Sequence, residues 1–273
     1  MRSFPGSPAE MVRSFVRNRQ LIVQLSRREV IGRYRGSALG WAWSLVNPLF
    51  MLAVYMLVFS GIFTTRWEGA GGERRSEIAL ILFLGLVVHG FFAECINRAP
   101  SLIVNQPNFV KKVVFPLEVI PWVGVVAALF HAAIGLVVLL AGQLLVSHHL
   151  PPTALLLPIV ILPLLFLLAG MSWLFAGIGV YVRDLSQVAV MFSTAMLFVS
   201  AVFFPLTAVP QPYRAWLRFN PLAVVIEQCR ETLIFGRVPD PVRWTLTMAF
   251  GIGLAWVGFA TFQKVRRGFA NVL

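Results

Sequence analysis

Six long apolar stretches are the feature that most limits what this chain can fold into. They lie near residues 44–63, 78–97, 122–146, 155–181, 188–204 and 244–261. About 20 apolar residues in a helix cross the ~30 Å hydrocarbon core of a bilayer. Of all residues, 58% are hydrophobic and 12% are charged, which is unlike a soluble domain. The sequence therefore predicts an all-α integral membrane protein with six transmembrane helices.

The distribution of lysine and arginine indicates how these helices are oriented. Such residues concentrate in the cytoplasmic connections of membrane proteins. The segment 1–43 contains eight arginines, whereas the connection 147–152 contains no lysine or arginine. Basic residues also follow the second, fourth and sixth stretches, at Arg98, Lys111, Lys112, Arg183, Lys264, Arg266 and Arg267. We predict a multi-pass protein of the cell inner (plasma) membrane with both termini in the cytoplasm.

An interface helix is predicted at residues 11–31, within the N-terminal segment 1–43. Polar residues recur there every three or four positions, while Phe15, Ile22 and Val30 lie largely on the other face. That spacing is typical of an amphipathic helix at the membrane surface, with its arginines toward lipid headgroups. Two roles stay open for this helix: a membrane anchor with no further function, and a platform beside a substrate entrance.

The connection between the fifth and sixth stretches, residues 205–237, has an unusual composition. Prolines divide it into two amphipathic stretches, each too short to cross a bilayer. Such segments are tolerated at membrane depth only where they pack on protein or line a cavity. We predict a re-entrant helical hairpin, and its mixed charges leave its side of the membrane open.

The sequence contains no Gly-x-x-x-x-Gly-Lys-Ser/Thr phosphate-binding loop and no His-Glu-x-x-His zinc motif. We therefore predict that this chain is not an enzyme. Glu94 and Glu118 are predicted to pair with Arg98 or with Lys111 and Lys112, the alternative being a proton site. The net charge of +12 is spread between apolar stretches, so we expect no nucleic-acid partner.

Four stretches in register resemble the ABC-2 type transporter permeases that export polysaccharides such as O-antigen, capsule and teichoic acid. They are RYRGSALGWAWSLVNPL at 33–49, NQPNFVKKVVFPLEVIP at 105–121, YVRDLSQ at 181–187 and FNPLAVVIEQCRETLIFG at 219–236. The resemblance implies a half-transporter that forms a homodimer and joins two copies of a cytoplasmic ABC ATPase subunit. The chain would hold no cofactor itself, because ATP and Mg²⁺ would be bound by that partner.

The resemblance also assigns roles to two cytoplasmic connections. It implies that residues 105–114 form a coupling helix that sits in a groove of the ATPase, and that the connection after the fourth span makes a second contact. The coupling residues are Asn105, Gln106, Pro107, Asn108, Phe109, Lys111 and Lys112, with Arg183 and Asp184 in the second contact. A positive-inside tether that needs no partner is the alternative for 105–114.

For the hairpin 205–237, the resemblance implies an outer gate made of two short helices. Asn220 and Pro221 would begin the second gate helix, where proline loses no hydrogen-bond donor. Glu227, Arg230 and Glu231 would then pair within that helix at an exposed site.

Aromatic side chains are the predicted lining of a polysaccharide path, because their faces contact sugar C–H surfaces with little directional demand. The chain contains 23 Phe, 8 Trp and 4 Tyr. Spans one and five face the dimer axis in the family, which selects Phe50, Tyr55, Phe59, Phe192, Phe198, Phe203 and Phe204. The alternative for each residue taken singly is contact with lipid or packing within the chain.

The predicted substrate is a polysaccharide linked to a polyprenyl pyrophosphate, as in the O-antigen branch of the resemblance. Arg33 and Arg35 are the predicted ligands of its headgroup, because guanidinium groups bind phosphate oxygens in a bidentate manner. Exporters of capsule, teichoic acid, a drug or a small lipid are alternatives with the same fold. A membrane scaffold or a channel without an ATPase is an alternative of another class.

Overall fold

The computed structural model describes residues 5–61, 75–111, 115–204 and 209–273, and all regular structure in these ranges is helical. The predicted coupling residue Lys112, the first residues of the predicted gate hairpin at 205–208 and the side chain of Phe59 lie outside the described residues. The α-helices are α1 (Pro8–Tyr34), α2 (Trp43–Gly61), α3 (Arg75–Arg98), α4 (Pro107–Lys111), α5 (Val119–Ser147), α6 (Leu157–Gly179), α7 (Leu185–Val199), α8 (Gln211–Phe219), α9 (Pro221–Leu233), α10 (Pro241–Val265) and α11 (Phe269–Val272).

Several helices begin at a polar residue followed by proline. Ser7 Oγ accepts a hydrogen bond from the backbone N–H of Glu10 at 3.2 Å, and Pro8 opens α1. Asp240 Oδ1 accepts a hydrogen bond from the backbone N–H of Val242 at 2.9 Å, and Pro241 is the first residue of α10. Each cap satisfies an N–H that has no partner within the helix. The local sequence therefore determines where these helices start.

Five helical segments of the described chain are long and apolar enough to cross a membrane. They are Gly40–Val58, Glu77–Ser101, Val119–Ser147, Pro152–Gly179 and Pro241–Val272. They correspond to the first, second, third, fourth and sixth predicted spans. The fifth predicted span corresponds to α7, which has 15 residues and a length of about 22 Å. The chain is thus a multi-pass helical protein, and the count of six spans stays a prediction.

The fifth stretch gives a short helix because the chain turns out of the helical conformation directly after it. Ala201 has a φ angle of 55°, in the left-handed region that residues other than glycine rarely adopt. The hydrophobicity of the sequence continues to Phe204, so hydrophobicity alone extends the predicted helix past its observed end.

Three of the connections predicted to be cytoplasmic meet at one end of the helix bundle. Gly179, at the end of α6, lies against the backbone of Pro100, so a Cβ atom there would overlap with it. Tyr181 donates a hydrogen bond from Oη to the carbonyl of Val265 at 2.7 Å, which ties the α6–α7 connection to the C-terminal segment. The segments after α3, α6 and α10 therefore lie on the same side, as the charge distribution predicts.

The closest helix packing is between α6 and α10, where glycine residues let two backbones touch. A Cβ atom on Gly251 would lie 2.7 Å from the carbonyl oxygen of Pro163, and one on Gly258 would overlap with Gly170. Small residues that allow close backbone approach are the usual contact between helices in membranes. Trp173 of α6 is buried beside Phe259 of α10, with ring centroids 5.2 Å apart.

This packing predicts that Gly258→Ala destabilises the protein by about 1–3 kcal/mol, because the added methyl group forces two backbones apart. Gly253→Ala is the matched control on the same helix, since its added methyl group would have no neighbour within 4 Å. The measurement is the midpoint of thermal unfolding in detergent. Equal midpoints for the two variants would contradict the packing described.

Candidate functional site

The N-terminal helix α1 packs along the first half of α5. Near the start of α1, Ser14 donates a hydrogen bond to Glu118 Oε1 at 3.1 Å. Near its end, Arg33 Nη1 lies 3.0 Å from His131 Nδ1. Helix α5 has 29 residues and is about 43 Å long, which exceeds the ~30 Å hydrocarbon core. Helix α5 is therefore longer than an untilted span requires, and α1 packs against its first half.

A group of ion pairs holds the end of α1 against α3 and α5. Arg33 pairs with Glu94, whose carboxylate also lies 3.0 Å from His131 Nδ1. Arg98 pairs with Glu29 of α1 and lies 3.5 Å from Glu94. The predicted pairing of Glu94 with Arg98 is confirmed, and Arg33 adds a second cation to the same carboxylate.

Glu118 has a different partner from the basic residues predicted for it. Its carboxylate accepts a hydrogen bond from Arg266 Nη1 at 2.6 Å, and both side chains are buried. Trp173 donates from its indole N–H to the Glu118 carbonyl at 3.0 Å. Lys111 lies in the exposed α4. The predicted Lys112 lies outside the described residues. Arg266 was not predicted as a partner, because it is distant in sequence and only the packing of the segment after α10 brings it to α5.

A groove of about 1300 Å³ separates the C-terminal half of α1 from residues 105–109. The described residues that line it include five arginines and one glutamate, namely Arg27, Arg28, Arg33, Arg35, Arg98 and Glu29. Its other wall carries Asn105, Gln106, Pro107, Asn108 and Phe109, and Ile120 and Val123 lie at its base. The groove therefore brings together the predicted headgroup residues Arg33 and Arg35 and most of the predicted coupling residues.

The arginines of the groove differ in their partners. Arg33 and Arg98 are bound to Glu94 and Glu29, so their charges are largely balanced. In the described part of the chain, no carboxylate lies within 4 Å of Arg27, Arg28 or Arg35, and all three are exposed. Sequence reasoning selected Arg35 but missed Arg27 and Arg28. The high density of arginines along α1 is the sequence feature that could have identified Arg27 and Arg28.

Arg183 and Asp184, the second predicted ATPase contact, lie apart from the groove. They occupy the connection between α6 and α7, and both are exposed. Asp184 is the residue before α7, and its backbone carbonyl accepts a hydrogen bond from Gln187 N–H at 3.0 Å. Since Gly179 contacts Pro100, this connection lies at the same end of the bundle as the coupling residues.

The predicted gate segment lies at the other end of the bundle. Gln143, near the end of α5, donates to the carbonyl of Leu233 at 2.8 Å, and Thr153 donates to the carbonyl of Thr232 at 2.6 Å. Helix α9 therefore lies beside the connection between α5 and α6. Charge left the side of this segment open, and these contacts place it with the connection that lacks lysine and arginine.

The break between α8 and α9 is the one predicted at Asn220 and Pro221. Asn220 Oδ1 accepts a hydrogen bond from Leu222 N–H at 3.0 Å, and Pro221 is the first residue of α9. The amide Nδ2 of Asn220 donates to the carbonyl of Val199 at 3.1 Å and to Ser200 Oγ at 3.0 Å. Asn220 thus caps α9 and also binds the end of α7.

Arg230 was expected at an exposed site, and this prediction is wrong, because its side chain is fully buried. The guanidinium donates to the carbonyls of Ala201 at 2.8 Å, Val202 at 2.6 Å and Ile81 at 3.4 Å. Burial lowers its pKa to about 10, and the nearby Glu227 carboxylate opposes that change, so the group stays charged at neutral pH. The role of Arg230 is to satisfy backbone carbonyls where α7 ends.

The structure also shows the partners of the predicted gate residues Glu227 and Glu231. Glu227 Oε2 lies 3.6 Å from Arg230, so the predicted pairing within the helix is present. Glu231 lies 3.5 Å from Arg237 instead, beyond the end of α9. Burial of its carboxyl raises the pKa of Glu227, and the Arg230 charge opposes this rise.

The candidate path aromatics divide into two groups. Phe50, Phe198 and Phe203 are exposed on the chain, and the rings of the last two are 5.9 Å apart. The others pack partly within the chain: Tyr55 beside Phe83, Phe192 beside Phe92, and Phe204 beside Ala201 and Leu217. The exposed group is therefore available to line a path or a helix contact between copies.

The fold defines a multi-pass helical membrane protein. It combines long apolar helices with α1, which is held by ion pairs, and with the short helices α8 and α9 at one end. The groove lined by arginines lies at the opposite end from α9. The chain belongs to the ABC-2 type transporter family, which it matches over residues 20–234. The family predicted from four sequence stretches is thereby confirmed.

Three relatives match nearly the whole chain at modest identity. The O-antigen export system permease protein RfbA of Myxococcus xanthus is 26% identical over 263 residues, covering 96% of this chain and 98% of that protein. The protein of that name from Klebsiella pneumoniae is 25% identical, covering 93% and 95%. The polysialic acid transport protein KpsM of Escherichia coli is 24% identical, covering 86% and 90%.

The burial of Arg230 predicts that Arg230→Met lowers the free energy of unfolding by about 3 kcal/mol, since carbonyls and the Glu227 carboxylate lose their buried partner. Arg237→Met is the control, because Arg237 is an exposed arginine in the same connection. Thermal unfolding in detergent measures both. An Arg230 variant as stable as the control would contradict the role assigned to this side chain.

Proposed function

We propose that the chain is the permease subunit of an ATP-driven exporter that moves polyprenyl-pyrophosphate-linked polysaccharide, similar to O-antigen, across the inner membrane to its outer side. The main support for this proposal is the similarity of nearly the full chain to permeases named for O-antigen export. Further support comes from Arg33 and Arg35, which line a groove beside the end of the interface helix. Both termini would lie in the cytoplasm.

The working unit we propose is a homodimer with two ATPase subunits that bind ATP and Mg²⁺. Helix α2 supports the dimer, because only 6% of its apolar segment is buried within the chain, against 67% for α3. Phe50 of α2 and Phe198 of α7 are exposed apolar residues on the two helices assigned to the dimer axis. A second copy would cover this surface and complete a path between the two subunits.

Residues 105–109 are the proposed coupling contact with the ATPase. They extend from the same end of the bundle as the α6–α7 connection, and Asn105, Pro107 and Asn108 are exposed. An ATPase seated there would contact short, rigid turns between spans, so its movement on binding ATP would be transmitted to α3 and α5. Arg183 and Asp184 would form the second contact.

Deletion of the gene is expected to remove the surface polysaccharide, and the intact chain should restore it. We expect Arg33→Gln/Arg35→Gln to abolish export while leaving membrane insertion and dimerisation intact.

Arg35→Gln alone should reduce export roughly tenfold, because Arg35 has no carboxylate partner in the described structure and is free to bind phosphate. Surface glycan is measured by immunoblotting.

The control for these variants is Arg19→Gln, which removes an exposed α1 charge that does not line the groove. Normal surface glycan in the Arg33/Arg35 double variant would exclude the headgroup role. Surface glycan that persists after deletion would exclude the proposed export function itself.

Coupling predicts that Asn105→Ala/Asn108→Ala lowers ATP hydrolysis by a co-purified ATPase roughly tenfold, because these side chains would contact it. His149→Ala, an exposed change at the other end of the bundle, is the control. Copy number is checked by mass photometry of the complex. Failure of any ATPase to co-purify would favour the alternative of a scaffold or channel.

A further inference from the structure

The groove between α1 and residues 105–109 has the composition of an anion site, but its free charges differ from the predicted pair. Arg33 is bound to Glu94, and Arg98 to Glu29 and Glu94. Among the arginines that line the groove, Arg27, Arg28 and Arg35 have no carboxylate within 4 Å in the described ranges. Three exposed guanidinium groups around one groove concentrate positive potential there.

The opposite wall of the groove offers groups that suit sugars. Asn105, Gln106 and Asn108 carry amide side chains, which both donate and accept hydrogen bonds. The volume of about 1300 Å³ exceeds the range of about 300–1000 Å³ typical of small-molecule sites, so it accommodates more than a pyrophosphate. A ligand with an anionic part and attached sugars matches both walls.

The position of the groove indicates a ligand held in the membrane. Arg35 follows the last residue of α1, and the exposed Trp41 and Trp43 come soon after it in the chain. Tryptophan is enriched at the membrane–water interface, which places this end of the groove at headgroup depth. The opposite wall is formed by the proposed coupling residues, which lie outside the long apolar helices.

We propose that this groove binds a lipid pyrophosphate through Arg27, Arg28 and Arg35, with the first sugars against residues 105–108, and so connects substrate binding to the ATPase contact. Arg33 acts as a positioning residue that holds the end of α1 on Glu94. This inference rests on the proposed function and names its cytoplasmic substrate site. A ligand that bridges both walls favours one arrangement of the coupling residues, which links the affinity for substrate to the affinity for the ATPase. The rate of ATP hydrolysis is expected to change with that docking.

The test compares binding of polyprenyl pyrophosphate to the purified chain and to Arg27→Gln/Arg28→Gln. We expect the double change to raise Kd at least about tenfold, because two charge-assisted contacts are lost. The matched control is Arg17→Gln/Arg19→Gln, which removes two α1 charges outside the groove and should change Kd less than about twofold. Arg27→Lys/Arg28→Lys should recover part of the affinity, since it keeps charge but loses bidentate geometry.

Competition distinguishes the sources of the anion. Excess inorganic pyrophosphate or phosphatidylglycerol should displace the polyprenyl pyrophosphate poorly. Efficient displacement by inorganic pyrophosphate would show a site for a free anion, and efficient displacement by phosphatidylglycerol would show a general lipid surface. Either result overturns the proposal, as does an equal loss of affinity in the groove variant and the Arg17/Arg19 control.

A second readout is the ratio of ATP hydrolysis with and without polyprenyl pyrophosphate, measured on the complex in nanodiscs. The Arg27/Arg28 variant should lose this stimulation, whereas the Arg17/Arg19 control should keep it. If the groove variant loses the ATPase subunit but still binds polyprenyl pyrophosphate normally, the arginines serve the protein partner and the proposal fails. An exporter that restores surface glycan but binds no polyprenyl pyrophosphate would overturn this site and leave the proposed function standing.

Discussion

The pairing of backbone polar groups at helix breaks is the constraint on which the rest of this structure depends. In an apolar environment an unpaired carbonyl costs several kcal/mol, so a helix can stop early only if another group binds its end. Helix α7 stops at Val199, and the partly or fully buried backbone carbonyls at and after its end are bound by two side chains from one short segment, Asn220 and Arg230. Those two donors allow α8 and α9 to exist where a continuous helix would otherwise be required.

The sequence predicts the parts of the fold that are determined locally. Five apolar stretches become long helices, and the Asn220–Pro221 pair marks the start of α9, because length and capping are properties of neighbouring residues. The short α7 and the burial of Arg230 could not be predicted in this way. The bend at Ala201 has no marker in its own sequence, and Arg230 binds Ile81, 149 residues away.

The candidate site shows the same division. Local patterns selected Arg35 and residues 105–109 separately, and tertiary packing places them on facing walls of one groove. Sequence proximity also joined Arg33 to Arg35, although within the described residues only Arg33 of the two pairs with Glu94 on another helix. The partner of a buried charge is the hardest feature to predict from sequence, since Glu118 pairs with Arg266, 148 residues away.

The touching backbones of α6 and α10 divide the chain into a static part and an adjustable part. Neither helix can slide past the other without breaking the contacts made at Gly170 and Gly258. Under the proposed function, a path that widens for a bulky polymer would draw its movement from α2, which the rest of the chain scarcely covers, and from the short α7. Divergence among exporters of thicker and thinner polymers should then accumulate on those two helices, while the glycine contact is preserved.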